Sequence, residues 1–258
     1  MKISIIGAGN VATQLALALR KAGHSIVQIC NRSNDAGEEL AKTVGATFTS
    51  NFKGLEDADV YIIAVKDDAI SDVASQLKLK GKIVVHTSGT KTAEILSFSS
   101  ESFGVFYPLQ TMTKLSKVDF SNIPILIEGS NVETRKVLSK LAKTLSKNIH
   151  EVDEVQRQWI HVAAVFANNF TNHMYTLSER LLLDHGLGFD ILKPLIMQSV
   201  ANLGNHSPKE LQTGPAARHD SMTIEKHVEL LADHKRLQKI YEILTASILA
   251  QSQVSKLK

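Results

Sequence analysis

The run Gly7-Ala8-Gly9-Asn10-Val11-Ala12 carries the residue types that a bound pyrophosphate needs. It follows a β-branched run, Lys2–Ile6, and opens a helical pattern that reaches Ala22. In that setting Gly7 permits a tight turn, Gly9 lets the backbone approach a phosphate, and Ala12 allows helix and strand to pack closely. The N–H groups at the start of the helix, on Asn10, Val11 and Ala12, add donors and positive potential. The end of the following strand is where the ribose of a dinucleotide is met. An acid there would accept from a free 2′-hydroxyl, whereas this chain has Asn31-Arg32-Ser33. A guanidinium pairs with a 2′-phosphate in fork geometry, and the Ser33 hydroxyl is a second donor. The expected cofactor is therefore NADP(H).

Three more strand ends offer chemistry. Val65 and Lys66 present backbone to a cofactor, and Asp67 or Asp68 is expected to cap the next helix. His86-Thr87-Ser88-Gly89-Thr90 combines small hydroxyls with a glycine, which suits close approach of nicotinamide and substrate, and Ser88 is a candidate for both cofactor binding and catalysis. Tyr107 and Gln110, in Tyr107-Pro108-Leu109-Gln110, can hydrogen-bond a substrate or the nicotinamide amide. For each of these positions ordinary turn chemistry explains the residue types equally well.

A helix predicted over Asp153–His185 adds a proton carrier. No Lys lies between Lys147 and Lys193, so the candidates are Arg157, His161, His173 and Arg180, and His161 is the best placed. At about 100° per residue, Asn168 and Asn172 fall within about 20° of His161, while Asn169 lies about 80° away. The apolar spine Val155, Trp159, Val162, Phe166, Phe170, Met174, Leu177 and Leu181 marks a different face, expected to be buried. The expectation is that Asn168 or Asn169 orients a substrate and His161 exchanges a proton, with Ser88 and Tyr107 as the next catalytic candidates. A polar seam between packed helices would leave the same pattern. No pair has H-E-x-x-H spacing and Cys30 has no partner ligands, so no metal site is expected.

These groups must be held by an alternating frame. Strands are expected at Lys2–Ile6, Ser25–Cys30, Ala46–Thr49, Val60–Val65, Lys82–His86, Gly104–Tyr107, Ile123–Ile127 and Asn148–Val152, with helical patterns among them. That alternation predicts a doubly wound, mostly parallel α/β sheet over 1–152. From Asp153 the pattern is all-helical, giving a second domain over 153–258 with helices at Asp153–His185, Ile191–Leu203 and Thr223–Gln253. The first and last of these would each span about 45 Å at about 1.5 Å per residue, long for so small a domain. Apolar residues on more than one side of the last helix point to a homodimer through the helical half.

The bulk properties exclude several classes. A net charge of +3 gives no reason to expect a nucleic-acid partner or an anionic membrane surface. No apolar run is long enough to span a bilayer, and the start of the chain is too short for a signal-peptide core. One cysteine rules out an internal disulfide and fits a reducing, cytoplasmic setting.

Taken with Gly7–Ala12 and Asn31-Arg32, the segments His86–Gly89, Tyr107–Gln110, Asn168-Asn169 and Gly214-Pro215 through Arg218 and Asp220 carry a resemblance over essentially the whole chain. The chain resembles the NADP oxidoreductases in which a Rossmann domain is followed by a helical C-terminal domain of unknown function. It is similar in layout to pyrroline-5-carboxylate reductase, ketopantoate reductase and the β-hydroxyacid dehydrogenases. In that family a His usually precedes Pro-Leu-Gln, where this chain has Tyr107, and a Gly stands where this chain has His219. The resemblance implies hydride transfer between NADP(H) and a small carbonyl, imine or hydroxy acid at the domain interface. A dinucleotide-binding sensor or partner-binding protein without turnover is the alternative.

The Arg32 reading has a direct test. NADP(H) should bind at least tenfold tighter than NAD(H), because one charge-assisted contact contributes about 1.5–3 kcal/mol. Arg32→Ala should weaken NADP(H) and leave NAD(H) nearly unchanged in a fluorescence titration. Equal loss for both cofactors would remove the assignment.

Overall fold

The computed structural model describes residues 1–113 and 118–254, so the final residues of the expected 153–258 segment lie outside the described residues. One eight-stranded sheet is built from β1 (Lys2–Ile6), β2 (Ser25–Cys30), β3 (Thr47–Thr49), β4 (Val60–Ile63), β5 (Ile83–His86), β6 (Ser102–Pro108), β7 (Ile125–Gly129) and β8 (Ile149–Glu151). Its order is β3-β2-β1-β4-β5-β6-β7-β8. All neighbours are parallel except β6 and β7, which run antiparallel with Tyr107 opposite Leu126. The chain winds from β1 outward to β3, then returns to β4 on the other side of β1. That reversal opens a crevice at the carboxyl ends of β1 and β4.

Helices α1 (Asn10–Lys21), α2 (Asn34–Val44), α3 (Ile70–Gln76) and α4 (Val132–Lys143) accompany the strands. Alternate residues of the central strands enter two separate cores. Ile3, Ile5, Val60 and Ile62 pack with Leu15, Leu19 and Leu141, while Ile6, Tyr61 and Ile63 pack with Val73, Leu77 and Leu96. A strand covered on both faces needs a continuous apolar run, which is what β1 and β4 have.

The chain divides into two compact units, residues 1–167 and 168–258. The segment expected as one helix over Asp153–His185 is α5 (Glu154–Ala164), a π-helical stretch at Val165–Phe170, and α6 (Thr171–Leu183). Asp153 caps α5 by accepting from the Gln156 N–H at 2.8 Å, and Gln156 accepts back from the Asp153 N–H at 3.0 Å. Gly186, at φ +72°, stops the run after α6.

Two expectations need correction here. The π stretch turns fewer degrees per residue than an α-helix, so the angular count from His161 to Asn168 and Asn172 does not carry across it. The helix expected over Thr223–Gln253 is two helices, α8 (Ser221–Leu230) and α9 (Lys235–Val254), with α7 (Lys193–Asn202) preceding them. The break falls between Leu231 and Leu237, where the apolar three- and four-residue steps lapse. Ahead of α7, Asp190 lies in the short turn Phe189–Leu192 and pairs with Lys193, the first residue of that helix.

His219 is the one described residue other than glycine with positive φ, at +57°. Left-handed backbone is the conformation a glycine adopts without steric cost, and a glycine is what the resemblance leads one to expect there. Here the imidazole Nε2 lies 3.1 Å from the Ser252 hydroxyl.

Candidate functional site

The glycine-rich turn is shaped as phosphate chemistry requires. Gly7 sits at φ +122°, and a Cβ on it would lie 2.2 Å from the Ala64 carbonyl oxygen, so no other residue fits. A Cβ on Gly9 would meet nothing within 4 Å, because Gly9 faces open space. Gly9 also caps α1 without a side-chain bond, and the first turn of α1 has no acid. The amide donors of Asn10, Val11 and Ala12 therefore have no intrahelical acceptor.

These residues line a groove of about 590 Å³ at the carboxyl ends of β1, β2 and β4. Gly7, Gly9, Asn10, Val11, Asn31, Arg32, Val65 and Lys66 all border it, together with Asp67 and Thr87. Ala12 is buried beneath the groove, where its small side chain lets α1 lie on the sheet. Ser33 is outside it and caps α2, its carbonyl accepting from the Asn31 amide at 2.8 Å. Arg32 is exposed, and no described carboxylate pairs with it. The cradle that Gly7 and Gly9 leave, the open helix end and the exposed Arg32 fit NADP(H) at its pyrophosphate and 2′-phosphate. Cys30, also on the groove wall, is buried and its thiol is pushed up to about 11 by desolvation.

Asp67 does not cap a helix. Ala69 holds the N-cap position of α3, and the Asp67 carboxylate is taken by two hydroxyl donors. Ser88 Oγ donates to it at 2.7 Å and Thr90 Oγ1 at 2.8 Å. Ser88 Oγ in turn accepts the N–H groups of Thr90 and Lys91, both at 3.1 Å. The Ser88 hydroxyl is thus committed to the loop after β5, and its geometry is that of a brace. His86, fully buried, reinforces the same loop: Nδ1 accepts the Ser88 N–H at 3.1 Å and Nε2 donates to the Thr92 carbonyl at 3.2 Å. Desolvation, assisted by the nearby Arg157, lowers the His86 pKa to about 4 against the pull of the Thr92 carbonyl, so the ring is neutral.

At the end of β6 the Tyr107 hydroxyl lies 2.9 Å from His161 Nδ1. Their ring centroids are 6.0 Å apart. Burial, together with the negative charge of Asp67, raises the phenol pKa, against the effect of Arg157. His161 packs so closely on the loop that a Cβ on Gly89 would lie 2.6 Å from its Nδ1. Gly89 is therefore required by the approach of a neighbour, at ordinary backbone angles.

One turn before His161, Arg157 is fully buried. Its Nε donates to Glu128 Oε2 and one terminal nitrogen to the Ser88 carbonyl, each at 3.2 Å. The other terminal nitrogen lies 3.2 Å from Glu128 Oε2 without hydrogen-bond geometry. Burial raises the Glu128 pKa and Arg157 opposes that rise. Sequence reasoning named Arg157 as a basic group and passed over Glu128. The available signal was the four-residue step from Arg157 to His161, which puts both on one helix face.

The structure thus gathers Ser88, Tyr107 and His161 at neighbouring strand ends within the first unit. Asn168 and Asn169 lie in the π-helical stretch at the start of the second unit, both exposed. Gln110 is exposed, with its side chain accepting from the Thr111 N–H at 2.8 Å.

Comparisons agree with this layout. The family described as NADP oxidoreductase, coenzyme F420-dependent, matches residues 2–89, and the domain of unknown function DUF2520 matches residues 123–248. No curated protein matches the chain. The solved structure of BF3122 from Bacteroides fragilis, which bears an NADP oxidoreductase designation, is 40% identical. It aligns over 96% of this chain and 98% of its own, with a TM-score of 0.90. The 1-pyrroline-5-carboxylate reductase of Streptococcus pyogenes is 14% identical over 98% of both chains, with a TM-score of 0.67. A reductive aminase from Aspergillus terreus, in complex with NADPH and ethyl-5-oxohexanoate, is 15% identical over 98% of this chain and 93% of its own, with a TM-score of 0.68. At the last two identities the likeness is one of fold.

The neutral His86 makes stability depend on pH. An unfolded His takes up a proton near pH 6.5, whereas His86 in the folded chain does so only near 4. Its contribution is therefore complete above pH 6.5 and is lost as pH falls toward 4, by about 1.4 kcal/mol per unit. Urea unfolding should show the parent losing about 2 kcal/mol more than His86→Gln between pH 6.5 and 5. Parallel pH profiles for the two proteins would contradict the neutral assignment.

Proposed function

This chain belongs to the family of NADP oxidoreductases that carry a DUF2520 C-terminal domain, and we propose that it transfers a hydride between NADP(H) and a small carbonyl, imine or hydroxy acid, with Tyr107 as proton donor and His161 as its relay. The observation that carries this reading is the 2.9 Å contact between the Tyr107 hydroxyl and His161 Nδ1, with His161 packed on Gly89 of the loop whose Thr87 lines the groove. Tyr107 on β6 and His161 on α5 both belong to the first compact unit.

Gly7, Gly9 and the first turn of α1 would hold the pyrophosphate, Arg32 the 2′-phosphate, and the Val65-Lys66 backbone the stretch beyond. Bound there, NADP(H) supplies or accepts the hydride. The chain supplies the accompanying proton. With its pKa raised, the Tyr107 phenol stays protonated at neutral pH and remains able to donate. In the reducing direction it donates to the substrate oxygen or nitrogen and is reprotonated through His161, whose ring is half-buried and within reach of solvent. In the oxidising direction the proton runs the opposite way. A phenol backed by an imidazole thus serves where relatives usually place a histidine before Pro-Leu-Gln. Ser88 holds the loop that Tyr107 and His161 border. Asn168 and Asn169 are the substrate-orienting candidates, and π-helical turns such as theirs are frequent at functional sites.

The second half of the reading is a homodimer through the helical region. Among the described residues of the second unit, Ala216 alone is buried. The spine expected to be covered is open in the single chain: Trp159 is 70% exposed and Phe166 65%. Leu195 and Met197 on α7 are exposed as well. A helical unit without a core of its own is completed by burying such faces against a second copy. The lone, unpaired Cys30 supports a cytoplasmic setting. No described helix is long and apolar enough to cross a membrane.

Two measurements test these parts. NADPH consumption over a panel of small ketones, imines and hydroxy acids should identify a substrate. On it, Tyr107→Phe should lower kcat by about 10²-fold or more, with cofactor affinity nearly unchanged. Full turnover by Tyr107→Phe would eliminate the proton donor. Light scattering at micromolar concentration should give twice the mass of one chain, and a monomeric mass would contradict the dimer.

A further inference from the structure

We propose that Arg157 is a positioning residue, clamping α5 to the Ser88 carbonyl and to Glu128 so that His161 is held on the Tyr107 hydroxyl. The inference rests on the reading of Tyr107 and His161 as the proton-transfer pair.

A guanidinium with no exposed surface is unfavourable unless its charge is met, and a side chain of similar volume without charge would be buried more readily. What the charge adds is direction. Apolar packing alone lets a helix slide or rotate against the ends of a sheet. Two bonds from one planar group, to acceptors on different elements, set both its height and its rotation. Arg157 has that pair of acceptors.

Each acceptor adjoins a group that His161 touches. Ser88 precedes Gly89, on which the His161 ring packs at a distance that admits no Cβ. Glu128 lies on β7 opposite Val105 of β6, two residues before Tyr107 on the same strand. Arg157 and His161 are four residues apart on α5, so they share a face, one turn apart. Fixing Arg157 to the loop and to the β6–β7 pair therefore fixes His161 between Gly89 and Tyr107. Gln158 adds a third tie, its amide donating to the Thr90 carbonyl at 3.2 Å. The loop itself is stiffened by Asp67 and His86, so α5 is anchored to something that does not yield.

The test reads the pair directly, by NMR of the His161 ring C–H. In the parent protein, Tyr107→Phe removes the hydroxyl and should displace the His161 resonance. In an Arg157→Met background, and in a Glu128→Gln background, the same substitution should displace it several-fold less, because the ring no longer rests on the phenol. Circular dichroism establishes that each background is folded. If Arg157→Met does not fold, Glu128→Gln decides alone, since it keeps the shape of the acceptor and removes its charge. A folded Glu128→Gln protein with the parent resonance and the parent displacement overturns the proposal. If Tyr107→Phe keeps full turnover while the NMR coupling still depends on Arg157, the catalytic reading falls and the clamp stands.

Discussion

A parallel sheet covered on both faces has no room for polar chemistry along its strands. Each residue of β1 from Ile3 to Ile6, and each of β4, is buried, and the flanking helices seal both sides. Polar and charged groups are therefore driven to the strand ends, where backbone N–H and C=O groups leave the ladder. The reversal of strand order at β1 and β4 keeps that edge open instead of letting a crossing loop close it. The groove, the Asp67–Ser88 brace and the Tyr107–His161 contact all follow from this constraint.

Within that edge, two kinds of rigidity are used for two tasks. The phosphate cradle depends on the absence of side chains. Gly7 lies against a carbonyl oxygen that any Cβ would strike, and Gly9 leaves space that a ligand can fill. The edge proposed to transfer the proton depends on dense hydrogen bonding. A neutral His86, the Asp67 carboxylate and the hydroxyls of Ser88 and Thr90 stiffen one loop, and Arg157 secures the next helix to it. A cofactor site must admit a large anion, whereas a proton donor must hold an atom in place, and the two neighbourhoods differ accordingly.

The helical region is governed by a different balance. Its apolar residues recur at regular steps, yet the free chain leaves most of them in contact with solvent. Local periodicity makes the helices, and the proposed dimer would cover the faces they leave open. The π-helical stretch at Val165–Phe170 spans the boundary between the two compact units in the sequence.

Much of the frame was determined by the sequence alone. Continuous apolar runs give β1, β2 and β4 because buried strands admit little else, and the positive φ of Gly7 is a local backbone requirement that glycine meets without steric cost. The place of Arg32 on the groove wall follows from its position at the end of β2. The tertiary structure decided the rest. Asp67 reads as a helix cap until the loop after β5 brings two hydroxyls to it. Ser88 reads as a reactive hydroxyl until its bonds are seen to be taken. Arg157 and Glu128 are 29 residues apart, and Tyr107 and His161 are 54 apart. Propensity and periodicity act over a turn or two of chain, while the contacts that set a side chain's charge, partners and reach are made between segments that only folding brings together.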